Sequence, residues 1–148
     1  MCRVADDESW LVGPGRSAGE LLAWAVERAR SVGEAAYAVD VTDAWSVCSI
    51  AGPESDEAWA RLSENLVPAG RPAFVQGAVA TVPAKAIVQE GSIHFFTPAP
   101  VGYHLPQRLL EACGDLAPTL CPATELTIHA AAVVPLAGTG SVRSRSRT

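Results

Sequence analysis

The alternation of β-prone and helical runs along this chain predicts an α+β fold, an antiparallel sheet with about three helices on one face. Three observations carry that expectation. Short apolar runs follow one another closely enough to form hairpins, as at 84–89 and 92–97 across Glu90-Gly91. Three other segments repeat their apolar residues at helical spacing. The length, 148 residues with 49% hydrophobic, suits one domain with a core of its own.

The elements follow in order. "SWLV" at 9–12 reads as a strand closed by Gly13-Pro14-Gly15. In "SAGELLAWAVERARSVG" Ser17 and Glu20 have the spacing of a capping box, in which each side chain satisfies an orphan N–H of the first turn. Leu21, Leu22, Ala25, Ala29 and Val32 then share one face of a helix over 18–32. Runs at 36–41 and 44–50 predict two strands joined at 42–43. In the second, Trp45, Val47 and Ser49 face one way, and Ala44, Ser46, Cys48 and Ile50 the other. Gly52-Pro53 opens a helix whose acidic start suits the positive helix end, with Trp59, Leu62 and Leu66 inward. Residues 68–72 read as a loop, and 77–82, 84–89 and 92–97 as three strands, with Pro83 at a junction. A third helix over 102–114 carries Pro106 in its first turn and Leu105, Leu109, Leu110 and Cys113 inward. Residues 1–116 thus form the domain. Residues 117–136 are an extension that holds one further candidate strand at 124–134, and 137–148 read as a poorly ordered tail of Gly, Ser, Thr and Arg.

Charge narrows the partners. Only 18% of residues are charged, against about a quarter in average proteins, so part of the surface is expected to be covered by another chain. The net charge is −5, and three of the eleven basic residues, Arg143, Arg145 and Arg147, lie in the last eight. An acidic body argues against nucleic acid as partner. No run approaches the roughly 20 apolar residues of a membrane span, and the start lacks a signal-peptide core. With four cysteines and no CxxC spacing, a cytoplasmic chain with reduced thiols is expected.

Candidate chemistry is sparse. The seven-residue gap between Cys113 and Cys121 is wrong for a zinc pair, and Cys48 reads as a small buried hydrophobe. Gly13-Pro14-Gly15 lacks the frame of a phosphate loop. Asp40 and Asp43 flank a turn in which carboxylates accept backbone N–H bonds, and no His or Cys lies nearby to work with them. Trp24 falls outside the inward stripe of its helix and is a candidate partner contact, together with Trp45 and with His94, read as exposed or partner-facing on the strand face opposite Phe95.

The stretches "ESWLVGPG", "VDVTDAWSVCSIAGPESDEAWARL" and "GAVATVPAKAIVQEGSIHFFTPAPVGYHLPQRLLEA" carry a resemblance. In order and spacing they resemble the gamma subunit of heterotetrameric sarcosine oxidase, itself similar to the folate-binding region of the glycine cleavage T-protein. The pieces are Trp10-Leu11, Asp40-Val41-Thr42, Gly52-Pro53, Gly77, Thr81, Phe95 and Leu109-Leu110, and the likeness covers residues 8–116. It implies a T-protein-like domain and an accessory role in a flavin-dependent amine oxidase. The larger subunits of that complex carry FAD, FMN, NAD and tetrahydrofolate, and this chain binds no cofactor. Two departures mark a non-catalytic member. The hairpin stretch 77–88, where the T-protein places its catalytic carboxylate, has no Asp or Glu and offers only Thr81 and Lys85. The T-protein's later "R-T-G-Y-T-G-E-D" segment is also missing. The alternatives are a folate-binding one-carbon transfer module related to aminomethyltransferase, and a scaffold with the same fold in another pathway.

Overall fold

A computed structural model describes residues 2–3, 9–12, 17–31 and 38–121. Its centre is a four-stranded antiparallel sheet in the order β3-β6-β5-β4, built from β3 (Trp45–Ala51), β4 (Ala73–Val79), β5 (Val82–Gln89) and β6 (Ser92–Pro98). A separate pair, β1 (Cys2–Arg3) and β2 (Ser9–Trp10), stands before α1 (Ala18–Ser31). With α2 (Ser55–Leu62) and α3 (His104–Ala112) the fold is α+β, with three α-helices among the described residues.

Strand alternation divides the sheet into two faces. One carries Cys48 and Ile50 from β3, Ile93 and Phe95 from β6, Ala84, Ala86 and Val88 from β5, and Val75 and Val79 from β4. The helices α2 and α3 cover it with Ala58, Trp59, Leu62, Leu105, Leu109 and Cys113. Trp59 and Phe95 are wholly buried and stacked, with ring centroids 5.9 Å apart and planes 12° apart. The Trp59 indole N–H donates to the Asn65 carbonyl at 2.9 Å, so the buried ring leaves no polar atom unpaired. Arg61 locks α2 to the end of α3. It donates to Glu57 at 2.9 Å, to the Ala112 carbonyl at 3.1 Å and to both carboxylate oxygens of Asp115. That bonding holds the Asp115 carboxyl below its usual range.

Several expectations hold. The capping box of α1 forms: Ser17 N–H donates to Glu20 Oε2 at 2.9 Å, and Glu20 N–H to Ser17 Oγ at 3.3 Å. Leu21, Leu22, Ala25 and Ala29 are half-buried, and Trp24 is 45% exposed. Glu90-Gly91 turns β5 into β6, with Gly91 at φ 67°.

Others are corrected. Residues 38–41 form no strand, while 36–37 lie outside the described residues. The Asp40 carboxylate accepts the Thr42 N–H at 2.9 Å and Ala44 N–H donates to the Val41 carbonyl at 3.0 Å. These bonds wind 42–44 into a 3-10 turn and take the backbone away from a ladder. Residues 9–12 do not join the main sheet; Ser9 and Trp10 pair with Arg3 and Cys2. Leu66 lies beyond the end of α2 and is 91% exposed, and Leu110 is 37% exposed on the outer side of α3. The strand junction at Pro83 is also displaced. The chain reverses at Ala80-Thr81, both left-handed (φ 50° and 67°), and Pro83 lies inside β5 opposite Ala78. Antiparallel alternation turns the nitrogen of Pro83 away from β4, where its missing N–H costs no bond. The Ala80 N–H donates to the Leu62 carbonyl at 2.6 Å, tying this turn to the end of α2. The candidate strand at 124–134 and the tail at 137–148 lie outside the described residues.

Candidate functional site

The other sheet face carries no element of the α2–α3 layer, and its side chains fall into rows fixed by strand register. Val47, Phe96, Lys85 and Gln76 stand side by side across all four strands. One step outward lie Trp45 opposite Pro98 and Pro83 opposite Ala78; one step inward lie Ser49, His94, Ile87 and Phe74.

The outer row borders a cleft of about 340 Å³ whose walls include Trp45, Pro83, Ala84, Pro98, Lys85 and Gln76. Its volume suits a small ligand or a few side chains of a partner, and its lining is apolar with an ammonium and an amide at one side. The register explains how distant residues meet here. The end of β4, the starts of β3 and β5 and the end of β6 all fall at one edge.

Trp10 lies over the next row. Its ring meets Trp45 edge-on at 4.8 Å and Phe96 at 5.8 Å. Lys85 Nζ sits 4.1 Å from the Trp10 ring centroid and 5.3 Å from that of Trp45, within the range of cation–π attraction. Phe96 is only 4% exposed on a face that the two core helices do not cover.

In the inner row Ser49 Oγ lies 2.8 Å from His94 Nδ1, and His94 Nε2 lies 3.4 Å from Gln89 Oε1. With Nε2 protonated, the imidazole donates to the Gln89 carbonyl and accepts from the Ser49 hydroxyl. Burial lowers the pKa of His94, which keeps it neutral. Serine, histidine and amide in this order match a nucleophile with its base, but His94 is 3% exposed, and Gln89 Oε1 also accepts from Ser92 Oγ at 3.4 Å. The trio ties β3, β6 and β5 together.

The three candidate partner contacts fall in different places. Trp24 is exposed on α1. Trp45 is half-buried and lines the cleft. His94 does face away from Phe95, but the reading of an exposed histidine is corrected, because the residue is only 3% exposed. Thr81 is exposed at the tip of the β4–β5 turn, while Lys85 stands in the row beneath Trp10. Asp40 is confirmed in its turn-capping bond, which lowers its pKa. Trp10, Phe96 and Gln76 went unnoticed as site residues. The alternation that separates His94 from Phe95 also places Phe96 away from Phe95 and could have found it; nothing in the sequence marks Trp10 as its neighbour. No protein-family model matches this chain, and no curated protein matches it.

Proposed function

We propose that this chain is a non-catalytic accessory subunit of a heteromeric flavin-dependent amine oxidase of the sarcosine type, packing against and stabilising the folate-binding catalytic subunit. In this reading FAD, FMN, NAD and tetrahydrofolate belong to the larger subunits, and the assembly is cytoplasmic. The observation that carries it is the apolar surface the chain leaves open. Trp24, Val39, Val41 and Val47 are each about half exposed, and the cleft beside Trp45 lies on the face that α2 and α3 leave uncovered. Large apolar side chains left in water on a chain with so little charge favour a partner surface. No described helix is long and apolar enough to cross a membrane.

The test is co-expression with the large flavoprotein subunits of such an oxidase. Co-purification at fixed stoichiometry supports the subunit role. A well-behaved monomer at high concentration that ignores those subunits refutes it.

The cleft beside the Trp45 ring gives the folate-binding alternative its one favouring observation. Against it stands the hairpin 77–88, which contains no carboxylate. Calorimetry with tetrahydrofolate and the isolated chain is expected to give no micromolar binding; micromolar binding would favour the one-carbon module.

A further inference from the structure

We propose that the outer edge of β3 is a dimerisation surface. On it the same strand of a second copy of this chain pairs antiparallel about a two-fold axis at Cys48, joining the two four-stranded sheets into one. The inference stands apart from the subunit reading, because it concerns this chain and its copy alone.

Among the described residues β3 pairs with β6 alone. Gly52 N–H donates to the Gly91 carbonyl at 2.9 Å, on the register of the β3–β6 ladder. Antiparallel ladders alternate, so Ser46, Cys48 and Ile50 bond to β6, while the N–H and C=O groups of Trp45, Val47, Ser49 and Ala51 point outward. The opposite edge of the sheet differs. Along β4, Ser63 bridges Val79, Ala80 N–H donates to the Leu62 carbonyl, and a Cβ at Gly77 would meet the Asn65 side-chain amide. Exposed edges are ordinarily blunted by a charge, a proline or a bulge. The strand WSVCSIA has no charged residue and no proline, and it pairs with β6 over seven residues without a bulge.

The packing around β3 is also unfinished. Cys48 and Ile50 belong to the helix-covered face yet are only half-buried, while Phe95 and Ile93, opposite them on β6, are wholly buried. On the other face Val47 is 50% exposed. A further strand covers both faces at once, and β3 fits itself. The register that pairs the whole strand sets Trp45 against Ala51 of the second copy, Val47 against Ser49, and Cys48 against Cys48. In that register the outward-pointing residues meet one another, and each such pair exchanges two backbone bonds. The largest side chain of the strand meets the smallest, and no charge is placed opposite another. Cys48 and Ile50 of both copies then form one apolar row across the axis. A self-complementary contact of this kind closes at two chains.

Sedimentation of the full chain over a range of concentrations is expected to show a reversible monomer–dimer equilibrium. Each copy carries a net charge of −5, so association should strengthen as salt is raised. Val47→Pro deletes an N–H that points away from β6, one from each copy, and is expected to weaken association by about tenfold or more. Val47→Lys supplies the charge that guards other edges and should weaken it too, while Trp24→Ala should leave it unchanged. Val47→Lys alters only a half-exposed side chain, so the test survives if Val47→Pro fails to fold. Mild oxidation should link the copies through Cys48, because a non-hydrogen-bonded antiparallel pair sets its Cα atoms about 4.5 Å apart, within the disulfide range of about 4.4–6.8 Å. Cys48→Ser should abolish that link. A chain that stays monomeric, a dimer indifferent to both Val47 variants, or a cross-link undiminished by Cys48→Ser overturns the proposal.

Discussion

The two faces of the sheet bury aromatic rings by different physics. On the helix-covered face, Trp59 and Phe95 are stacked inside a continuous apolar cluster, and their burial comes from close packing. On the opposite face Trp10, Trp45 and Phe96 meet edge to edge around a lysine, and a serine, a histidine and a glutamine bond to one another one row deeper. The first arrangement makes the fold. The second holds polar groups and half-exposed rings at a modest gain each, about 0.5–1.5 kcal/mol for an aromatic pair and about 0.5–1 kcal/mol for an exposed cation–π contact. A face of the second kind can be re-covered by something else at small cost, which is why the proposed site lies there.

Truncation should expose that contrast most strongly. Trp59→Ala is expected to cost about 3–5 kcal/mol and Leu62→Ala about 2–5 kcal/mol, from lost transfer energy and the cavity left behind. Since a domain has only about 5–15 kcal/mol in total, either variant should fall sharply in urea midpoint or in soluble yield. Trp45→Ala should cost clearly less. Equal losses on the two faces would erase the distinction between a packed and a re-coverable surface. A smaller effect tests how tightly the helical layer is seated. A Cβ at Gly102 would collide with the Cβ and Oγ of Ser46, so the turn before α3 rests directly on β3. Gly102→Ala should cost about 1–3 kcal/mol by overpacking, read from the same unfolding curves.

The packed face was largely legible in the sequence, and the other was not. Period-two alternation placed Cys48 and Ile50 on the inner side of β3, and helical spacing placed Trp59, Leu62, Leu105 and Leu109 inward, because each signal is local. Leu66 and Leu110 failed for a reason periodicity does not contain: α2 ends at Leu62, and the stripe of α3 is narrower than its apolar run. The turn at Ala80-Thr81 had no turn residue to announce it, since left-handed backbone there is imposed by its neighbours and by the bond to Leu62. The run 38–41 looked like a strand until the Asp40 side chain took the Thr42 N–H. The meeting of Trp10, Lys85 and Phe96 joins three segments far apart in sequence, and no local pattern encodes such a contact.

The polar row on the face opposite α2 and α3 should give this chain a stability that weakens in mild acid. Burial lowers the folded pKa of His94 below the ordinary histidine value of 6.5. Below that value the unfolded chain binds a proton that the folded chain refuses, so stability is full above about pH 6.5 and falls as the pH drops beneath it. The carboxylates of Asp40 and Asp115, whose pKa values are lowered from 3.8, add a separate loss only further down. Urea unfolding between pH 7 and pH 5 should show the first decline, and His94→Gln should flatten it. An undiminished slope in that variant would assign the decline elsewhere. A gentler change belongs to the β4–β5 turn. Thr81 is β-branched and left-handed, a conformation that costs an L-residue about 1–2 kcal/mol and glycine little. Allowing for the extra freedom of glycine in the unfolded chain, Thr81→Gly should stabilise by up to about 1 kcal/mol, or about 2–4 °C in melting temperature for a chain of this size.

Trp24 should show the smallest effect on the fold and the one most specific to assembly. Its ring is 45% exposed on α1, while Leu21, Leu22, Ala25 and Ala29 form the half-buried stripe. Little apolar area returns to water when such a ring is removed, and tryptophan has no helix propensity to lose against alanine. Trp24→Ala should therefore leave the urea midpoint of the isolated chain within about 0.5 kcal/mol of the parent, as surface substitutions do. The same ring at the centre of an interface would be a hot spot, where truncation costs about 2 kcal/mol or more of binding. Co-purification with the flavoprotein subunits should then fall by a factor of about 30 in affinity, since each 1.4 kcal/mol is tenfold. If Trp24→Ala destabilises the isolated chain as much as Leu62→Ala does, the ring is core and the partner surface lies on the sheet, at the cleft beside Trp45. If it disturbs neither stability nor assembly, the helix contributes nothing to the interface and the same cleft becomes the place to look.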